Sequence, residues 1–416
     1  MSEVSRSHNP RVLFFTTYVS LQSGASYALR ETIRRVQLAG VIPSLLIPDA
    51  AESREMFPAT EFDVCHVPIA RPRKTLNPLT HTKYLLSFPR TLQALRSTIR
   101  KKQIDLVHFN EITDVIAGMA ARSCRIKSVC HVRADRPSNP YRWLLLSALQ
   151  RTVDAIIVPS KATESWIAGE SRELAARTRL IYDYAFDVNE YRQPVSRSAF
   201  RSELGLVHDD ILVVLVSKLV AIKGHQLFIR AAQLVRRKSQ NVFFVIVGDP
   251  VPGHEDESAE IRSLAENLVP TPALRLTGPR RDLPTIYAAC DIAVHCPVFH
   301  DTYPTVVLLP MLAGRAVIGT AIGGIPEQIQ HGRTGLLTRE NDPEALAKAI
   351  MHLASNREKR EALGSAAQKQ MFNNLDPAVQ GRHLADLYRG ILHPLGSHAN
   401  AAANQPPTQT LRIIEP

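Results

Sequence analysis

The chain has 416 residues, of which 45% are hydrophobic and 21% are charged. This length favours two or three domains with sizeable cores, and the composition excludes a disordered or fibrous chain. The formal net charge of +11 leaves nucleic acids, anionic lipids and phosphorylated compounds open as partners.

The positive charge is concentrated in one part of the first half. Residues 1–195 carry 27 basic and 18 acidic side chains, whereas residues 196–416 carry 23 and 21. Nine basic side chains lie within 71–102, which has no Asp or Glu and which we call the basic segment. They are Arg71, Arg73, Lys74, Lys83, Arg90, Arg96, Arg100, Lys101 and Lys102. Apolar residues at helical spacing from Leu85 to Ile99 predict that one face of this segment packs on a sheet.

The cysteines and the apolar runs indicate the compartment. The five cysteines are odd in number, lack CxxC spacing and lie mostly in apolar runs, so we expect reduced core thiols. The first ten residues, MSEVSRSHNP, contain no apolar core of a signal peptide, and the apolar runs are only long enough for strands. These features predict a cytoplasmic protein whose membrane contact, where there is any, is peripheral.

Short β-branched runs alternate with helical segments along the chain. Strands are predicted at 12–16, 42–47, 62–67, 104–109, 126–132 and 155–158, with a helix at 25–39. After a polar linker at 183–202, strands follow at 211–217, 242–247, 273–276, 292–295 and 316–319. This alternation predicts an α/β protein with two doubly wound, Rossmann-like domains, 1–195 and 196–375, facing each other across a cleft that holds the site.

The C-terminal part reads as helical from Pro343, with a break at Pro377. A last helix at 376–392 is expected to pack back on the first domain. Residues 394–416 are small, polar and proline-containing, which is typical of a disordered tail.

A strand–loop–helix motif follows the predicted strand at 292–295. The sequence HDTYPT at 300–305 opens an apolar helix, and a helix N-terminus in this position suits a phosphate group. Pro304 suits a first helical turn, and Gly323 and Gly324 would let the backbone approach a ligand closely. From the residues alone, an ordinary strand–turn–helix accounts for the motif equally well.

Lys218 and Lys223 lie between the first strand and the first helix of the second domain. Cations in this place could clamp a diphosphate and offset the charge that develops on it as a leaving group. The alternative is a pair of solvated surface lysines.

Taken in order, these segments resemble glycosyltransferase family 4. They are joined by GDP at 248–250, LTGPRRDLPTIYAACDIAV at 276–294 and GGIPEQIQHGRTGLL at 323–337, and the resemblance covers residues 11–392. Members of this family are retaining enzymes of the GT-B fold that use nucleotide-diphosphate sugars. The resemblance therefore implies a GT-B fold and a sugar-transfer activity for this chain.

The resemblance assigns roles in the second domain position by position. It implies that Lys218 and Lys223 hold the donor diphosphate and that Asp301 lies beside the donor sugar. Thr305 and Val306 would offer the amide groups of the helix start to the donor. The family's second acidic residue, which binds the nucleotide ribose, is replaced by Leu309. A leucine cannot accept a hydroxyl hydrogen bond, so weakened or altered donor selectivity is expected.

The resemblance also assigns roles in the first domain. Gly24 matches the family's glycine loop near the donor phosphate, although Ser23 replaces a common glycine and could instead cap the helix. His131 falls at the family's histidine beside the donor sugar, with a buried core histidine as the alternative. Asn110 and Glu111 end another strand on the same rim and are candidates for contact with the acceptor.

The implied activity is metal-independent transfer of a hexosyl unit, without a cofactor, from a UDP- or GDP-linked sugar to a glycan, lipid-linked or small-molecule hydroxyl. No DxD sequence or His/Cys cluster predicts a metal site. The basic segment would attract an anionic membrane surface or acceptor.

One alternative, motivated by Leu309, is a non-catalytic GT-B subunit of a transferase complex. A nucleic-acid binder is not favoured, because aromatic residues are only 6% and no binding motif is present. The sequence leaves open the nucleotide, the sugar, the acceptor and the oligomeric state.

Overall fold

The computed structural model describes residues 9–21, 23–69, 78–133, 142–184, 186–192, 195–374 and 376–394. The chain divides into two compact units. Among the described residues, those up to Phe186 and from Pro377 onward form unit 1, and those from Asp187 to Asp376 form unit 2. The sequence placed this boundary at 195/196, nine residues later. The predicted tail at 394–416 lies outside the described residues except for Pro394.

Unit 1 contains a parallel sheet with helices on its faces. The described strands run in the order β3-β2-β1-β4-β5-β6-β7. They are β1 (Arg11–Phe15), β2 (Ile42–Pro48), β3 (Val64–Val67), β4 (Leu106–Phe109), β5 (Lys127–His131), β6 (Ala155–Val158) and β7 (Thr178–Leu180). The helices are α1 (Gly24–Leu38), α2 (Ala51–Met56), α3 (Pro78–Lys101), α4 (Ile116–Ser123), α5 (Arg142–Thr152), α6 (Lys161–Glu170), α7 (Arg172–Ala176) and, from the end of the chain, α16 (Pro377–Leu392).

Unit 2 repeats this design. Its described strands run in the order β10-β9-β8-β11-β12-β13, again all parallel. They are β8 (Ile211–Val216), β9 (Val242–Val247), β10 (Leu274–Gly278), β11 (Ile292–His295), β12 (Ala316–Thr320) and β13 (Leu336–Thr338). The helices are α8 (Ser198–Glu203), α9 (His225–Arg236), α10 (Glu255–Leu268), α11 (Leu283–Ala289), α12 (Thr305–Leu312), α13 (Ile325–Gln328), α14 (Pro343–Ser355) and α15 (Arg357–Asn374).

Burial on both faces explains why the strands read as continuous apolar runs. In β8, Leu212, Val213 and Leu215 are fully buried, and β1 and β6 show the same pattern. The alternating α/β order and the two parallel sheets confirm the predicted fold class.

Two parts of the predicted organisation are corrected. The stretch at 183–202 is more than a polar linker, because it contains a 3-10 turn at Val188–Tyr191 and helix α8, and because its Asp183 is buried. The C-terminal helical region breaks before Pro377, as predicted, and also at Asn356. The break at Asn356 separates α14 from α15.

Helix α3 contains the described part of the basic segment up to Lys101, and Lys102 follows the helix. Its Leu95 and Ile99 are buried in the core of unit 1, with Phe88 and Leu92 packed beside them. From Phe88 to Ile99 the predicted apolar stripe therefore packs in the core of unit 1, and exposed basic side chains such as Arg90 and Arg100 lie on the outer surface. Residues 70–77 lie outside the described residues, as do the side chains of 78–85.

All five cysteines are free thiols. Cys130, Cys290 and Cys296 are buried, whereas Cys65 and Cys124 are half-buried. Burial raises the pKa of Cys290 and Cys296 to about 12, so both are protonated at neutral pH. These three are the core thiols that the sequence predicted.

Candidate active site

The predicted donor residues meet at one edge of the sheet in unit 2. Strands β8 and β11 are neighbours in the middle of this sheet. The chain continues from β8 to β9 on one side and from β11 to β12 on the other, so the strand order reverses between β8 and β11. Doubly wound sheets bind ligands at such a switch point. Lys218 and Lys223 follow the carboxyl end of β8, and Asp301 follows that of β11. The fold therefore brings Asp301 to the same edge as two lysines that precede it by 78 or more positions.

Lys223, Asp301 and His295 form a charged cluster at this edge. The Lys223 ammonium donates to Oδ2 of Asp301, and Nε2 of His295 lies 3.0 Å from the same oxygen. Their side chains are 27%, 16% and 1% exposed, so the cluster is only partly shielded from solvent. The sequence did not identify His295, although a histidine at the carboxyl end of a strand next to this loop was a usable signal.

The charges of this cluster follow from its geometry. Burial alone would raise the pKa of Asp301, but the Lys223 ammonium and the His295 hydrogen bond outweigh burial and hold that pKa well below its usual range. Burial lowers the pKa of His295, so its neutral ring donates Nε2–H to the carboxylate. An ionised Asp301 thus holds the Lys223 side chain at the edge where a diphosphate would bind.

Two glycines hold the loops that carry these residues. Gly224 has a φ of 77°, and a Cβ atom there would lie 1.7 Å from the carbonyl oxygen of Cys296. Gly323 has a φ of 59°, and its Cβ would lie 2.3 Å from the carbonyl oxygen of Asp301, which also accepts the Gly324 N–H at 2.9 Å. The close approach expected from the Gly323–Gly324 pair is therefore to the Asp301 backbone.

Helix α12 begins beside this cluster. Pro304 is its N-cap, one residue before the first-turn position that the sequence suggested, and Thr305 and Val306 form the helix start. Amide groups in the first turn have no acceptor within the helix, so they are available to an anion. Leu309 lies one turn further on and is only 4% exposed.

The first-domain candidates meet at the corresponding edge of the unit 1 sheet. Strands β1 and β4 are neighbours there, and the Asn110 N–H extends the ladder by donating to the Phe15 carbonyl at 3.1 Å. Gly24 follows β1, Asn110 and Glu111 follow β4, and His131 ends the adjacent β5. The switch point of this sheet therefore gathers all four candidates.

Gly24 is the first residue of α1 and is exposed. Ser23 occupies the N-cap position, but its hydroxyl makes no capping hydrogen bond. A Cβ atom at Gly24 would meet no heavy atom within 4 Å, so neither packing nor backbone conformation requires glycine here. The role that the resemblance implies for Gly24, close approach of the donor phosphate, stays a prediction.

Asn110 is buried, and its Oδ1 has no hydrogen-bond partner among the described residues. Its Nδ2 lies 3.5 Å from the carbonyl of Ala25, which is a long contact. Glu111 is half-buried and precedes the 3-10 turn at Ile112–Asp114. Sequence reasoning missed Asp114, which is buried there and accepts the Thr17 hydroxyl at 2.6 Å.

His131 is fully buried at the end of β5. Neither of its ring nitrogens has a hydrogen-bond partner within the described part of the chain. Burial and the neighbouring Arg133 hold the pKa of His131 well below its usual range, so the ring is neutral at pH 7. A neutral imidazole offers one N–H donor and one acceptor nitrogen.

Sequence reasoning also missed a buried polar network around His131. Arg133 donates from Nε to Oδ2 of Asp183 at 2.5 Å and from Nη2 to the Thr32 hydroxyl at 2.9 Å. The same Asp183 oxygen lies 3.8 Å from Nε2 of His131. Thr32 and Asp183 lie 101 and 50 positions from Arg133 in the sequence, so no local sequence pattern predicts this network.

We expect the Gly24→Ala variant to fold with an unchanged or slightly higher midpoint of thermal unfolding, because alanine favours a helix. Its substrate affinity should fall about tenfold, because the added methyl group would obstruct a closely approaching phosphate. Isothermal titration with nucleotide and steady-state kinetics measure the effect. Gly169→Ala in α6 is the matched control, since a Cβ there also meets open space. Unchanged binding and kinetics would contradict the assignment.

Comparisons with known proteins agree with this architecture. The family profile "Glycosyl transferase 4-like domain" matches residues 23–182, and "Glycosyl transferases group 1" matches residues 196–370. The chain is 24% identical over 286 residues to D-inositol 3-phosphate glycosyltransferase of Corynebacterium kroppenstedtii, covering 67% of this chain and 62% of that relative. It is 27% identical over 288 residues to the protein of the same name from Mycobacteroides abscessus, covering 68% and 63%. The chain thus matches about three fifths of the length of these two relatives.

Solved structures share the fold at low identity. Anabaena HepE in complex with UDP and glucose has a TM-score of 0.77 and 22% identity, covering 91% of this chain and 99% of that one. WaaG, described as a glycosyltransferase involved in lipopolysaccharide biosynthesis, has a TM-score of 0.68 and 16% identity, covering 91% and 100%. The chain has two doubly wound units, and each carries candidate site residues at one edge of its sheet. This arrangement defines a two-domain α/β protein of the GT-B type. The chain belongs to glycosyltransferase family 4.

Proposed function

We propose that this chain is a retaining glycosyltransferase that moves a hexosyl unit from a nucleotide-diphosphate sugar to an acceptor hydroxyl. The observation that carries the proposal is the cluster of Lys223, Asp301 and His295 beside the start of α12. The cluster places the oriented Lys223 ammonium next to the N-terminus of α12. A cation and a helix N-terminus both favour binding of a diphosphate at this edge. The relatives named as glycosyltransferases favour this function over a non-catalytic subunit.

The proposed mechanism is a front-face displacement. Lys218 and Lys223 would hold the diphosphate as the bond to the anomeric carbon breaks, and the leaving phosphate oxygen would take the proton of the attacking hydroxyl. The hydroxyl oxygen then bonds to the anomeric carbon on the face that the diphosphate leaves, so the configuration is retained. Asp301 and His131 would orient the sugar.

The donor is proposed to be a UDP- or GDP-linked hexose. UDP-glucose is the first to test, since HepE is described in complex with it. The acceptor class includes a small phosphorylated polyol, as the names of the relatives suggest, or a glycan or lipid-linked hydroxyl.

The experiment is a thermal-shift screen against nucleoside diphosphates and nucleotide sugars, because a ligand of the native state raises the unfolding midpoint. Donors that bind are then incubated with acceptor candidates, and the anomeric configuration of the product is read by NMR. A retained configuration supports the proposal. Inversion would overturn the mechanism, and absence of binding to every nucleotide would overturn the function.

Leu309→Glu is expected to tighten nucleotide binding about tenfold if this position faces the ribose, because a carboxylate can accept its hydroxyl groups. The free variant should be less stable than the wild type, since a carboxylate replaces a buried leucine. Titration calorimetry with UDP and GDP measures the gain. Leu309→Gln, which accepts hydrogen bonds without a charge, should show a smaller gain, and weaker binding by both variants would show that the ribose lies elsewhere.

We propose in addition that the outer surface of unit 1 contacts anionic membranes or acceptors. None of the helices in the described ranges has the length and apolar character needed to cross a bilayer. Exposed apolar side chains do occur on three helices that pack side by side, α3, α4 and α5. They are Leu86, Met119, Trp143 and Leu144. Basic side chains of α3 accompany them, and this combination suits an interface with anionic lipid.

Vesicles containing anionic lipid are expected to co-sediment the protein, and vesicles of neutral lipid to leave it in solution. The variant Arg90→Glu/Arg100→Glu/Lys101→Glu should lose most of this binding, because each cation near a surface contributes about 1 kcal/mol. Lys238→Glu, an exposed site in unit 2, is the control. Equal sedimentation with neutral vesicles would overturn the electrostatic assignment.

A further inference from the structure

Helix α16 reaches the surroundings of His131 from the far end of the chain. It packs on α1 within unit 1, and its Leu384, Ala385 and Tyr388 complete the core on one face of the sheet. On that face His108 of β4 lies opposite Val129, two residues before His131. A helix more than 240 positions later in sequence therefore packs over the strands that end at the candidate site.

One contact from α16 runs through Tyr388. Its hydroxyl lies 2.7 Å from Nδ1 of His108, and both side chains are fully buried. The His108 ring lies in turn against the His131 ring, with centroids 5.4 Å apart and planes inclined at 61°. The tyrosine hydroxyl therefore fixes the rotation of the ring that packs edge-on against His131.

A second contact from α16 runs through Gln380, which is 4% exposed. Its Nε2 donates to the Tyr182 carbonyl at 2.8 Å and reaches Oδ1 of Asp183 at 3.4 Å. Its Oε1 accepts from Arg35, whose guanidinium also donates to the Tyr184 carbonyl at 2.7 Å. Gln380 thereby fixes the segment that places the Asp183 carboxylate 3.8 Å from Nε2 of His131.

Burial makes these contacts specific. A buried polar group that loses its hydrogen-bond partner is destabilising, so Gln380 and Tyr388 have few alternative arrangements once α16 is packed. His131 itself has no hydrogen-bond partner among the described residues, so packing and the nearby carboxylate, with the Arg133 guanidinium bonded to it, define its orientation. Its surroundings are assembled from β4, β5, the 182–184 segment and α16.

We propose that Gln380 and Tyr388 are positioning residues for His131, so that α16 sets the orientation and ring state of a histidine that we assign to the donor sugar. This inference rests on the proposed function for the role of His131. It assigns to the C-terminal helix a part in sugar transfer beyond covering the core.

The test uses the full-length protein with Tyr388→Phe and Gln380→Met, which preserve side-chain volume and remove the polar contacts. The controls are Leu384→Val, which weakens the α16 core without touching the network, and His383→Gln on the exposed face of the helix. NMR of ¹⁵N-histidine-labelled protein reports the ring of His131, which is assigned by the signal that disappears in His131→Gln. Steady-state kinetics separate kcat from the KM for the donor.

We expect both network variants to shift the His131 ring signals and to lower kcat about tenfold, with the KM for the donor changed less than about twofold. Leu384→Val should lower the unfolding midpoint and leave the signals and kcat unchanged. Unchanged His131 signals in both network variants, or shifted signals with wild-type kcat, would overturn the inference.

Failure of the proposed function gives a different result. If the wild type transferred no sugar from any donor, the role of His131 in sugar transfer and the kinetic part of this inference would both be lost. The NMR measurement would still report whether α16 sets the state of His131, because that signal does not depend on turnover.

Discussion

Lys223→Ala is expected to lower turnover by more than about tenfold while unit 2 remains folded. The Lys223 ammonium is held at the site edge by Asp301 and is 27% exposed, so it can transfer its contact from the carboxylate to an arriving diphosphate. A phosphate carries more negative charge than the carboxylate and gains still more as the glycosidic bond breaks. The ammonium therefore stabilises the transition state more than the ground state, and removing it should lower kcat.

The complication is that Lys223→Ala leaves the Asp301 carboxylate without its cation. Breaking such a pair by removing one partner destabilises the fold, and the pKa of Asp301 should rise towards that of a buried carboxyl group. The double variant Lys223→Ala/Asp301→Asn removes both charges and should recover the unfolding midpoint without recovering turnover. Lys223→Arg should retain most of the activity, because it keeps the charge.

Steady-state kinetics at saturating donor, together with thermal unfolding, measure these effects. Lys238→Ala serves as a control for the loss of a lysine, because Lys238 is exposed in the same unit. Near wild-type turnover of Lys223→Ala would refute the diphosphate assignment.

The sequence predicted the frame of the fold because parallel strands buried on both faces leave a clear trace. The runs at 155–158, 242–247 and 292–295 coincide with β6, β9 and β11. The sequence reading missed β7 and β13, which are three residues long and lie at the edges of their sheets. Such short edge strands have too few residues for a periodic pattern, and their pairing depends on neighbours distant in sequence.

The candidate site divides in a similar way. Lys218, Lys223, Asp301 and Gly24 follow strand ends in local motifs, so sequence alone could place them at the two sheet edges. His295 lies only six positions before Asp301, at the end of a strand, and was within reach of the same reasoning. The contact of Gln380 with Asp183 depends instead on how helices and loops pack in three dimensions. Pairings of this kind across 197 positions are decided by tertiary structure, for which a single sequence has no periodic signal.

Gly224→Ala is expected to destabilise unit 2 by more than about 3 kcal/mol. The residue has a left-handed φ of 77°, and its Cβ would lie 1.7 Å from the Cys296 carbonyl oxygen. That oxygen belongs to the backbone directly after β11, so no side-chain rotation can relieve the overlap. Either the end of β11 or the loop that carries Lys223 must move.

Gly205→Ala separates the two causes. Gly205 also has a left-handed φ, 68°, but a Cβ there would meet no heavy atom within 4 Å. In this control variant only the left-handed backbone conformation is unfavourable for alanine, so the free energy of unfolding should fall by about 1–2 kcal/mol. Urea unfolding of both variants measures the difference, and nucleotide titration of the folded Gly224→Ala variant reports whether Lys223 keeps its place. Equal destabilisation by the two substitutions would show that the backbone of the Lys223 loop yields at little cost, and that Gly224 does not fix the cation at the site edge.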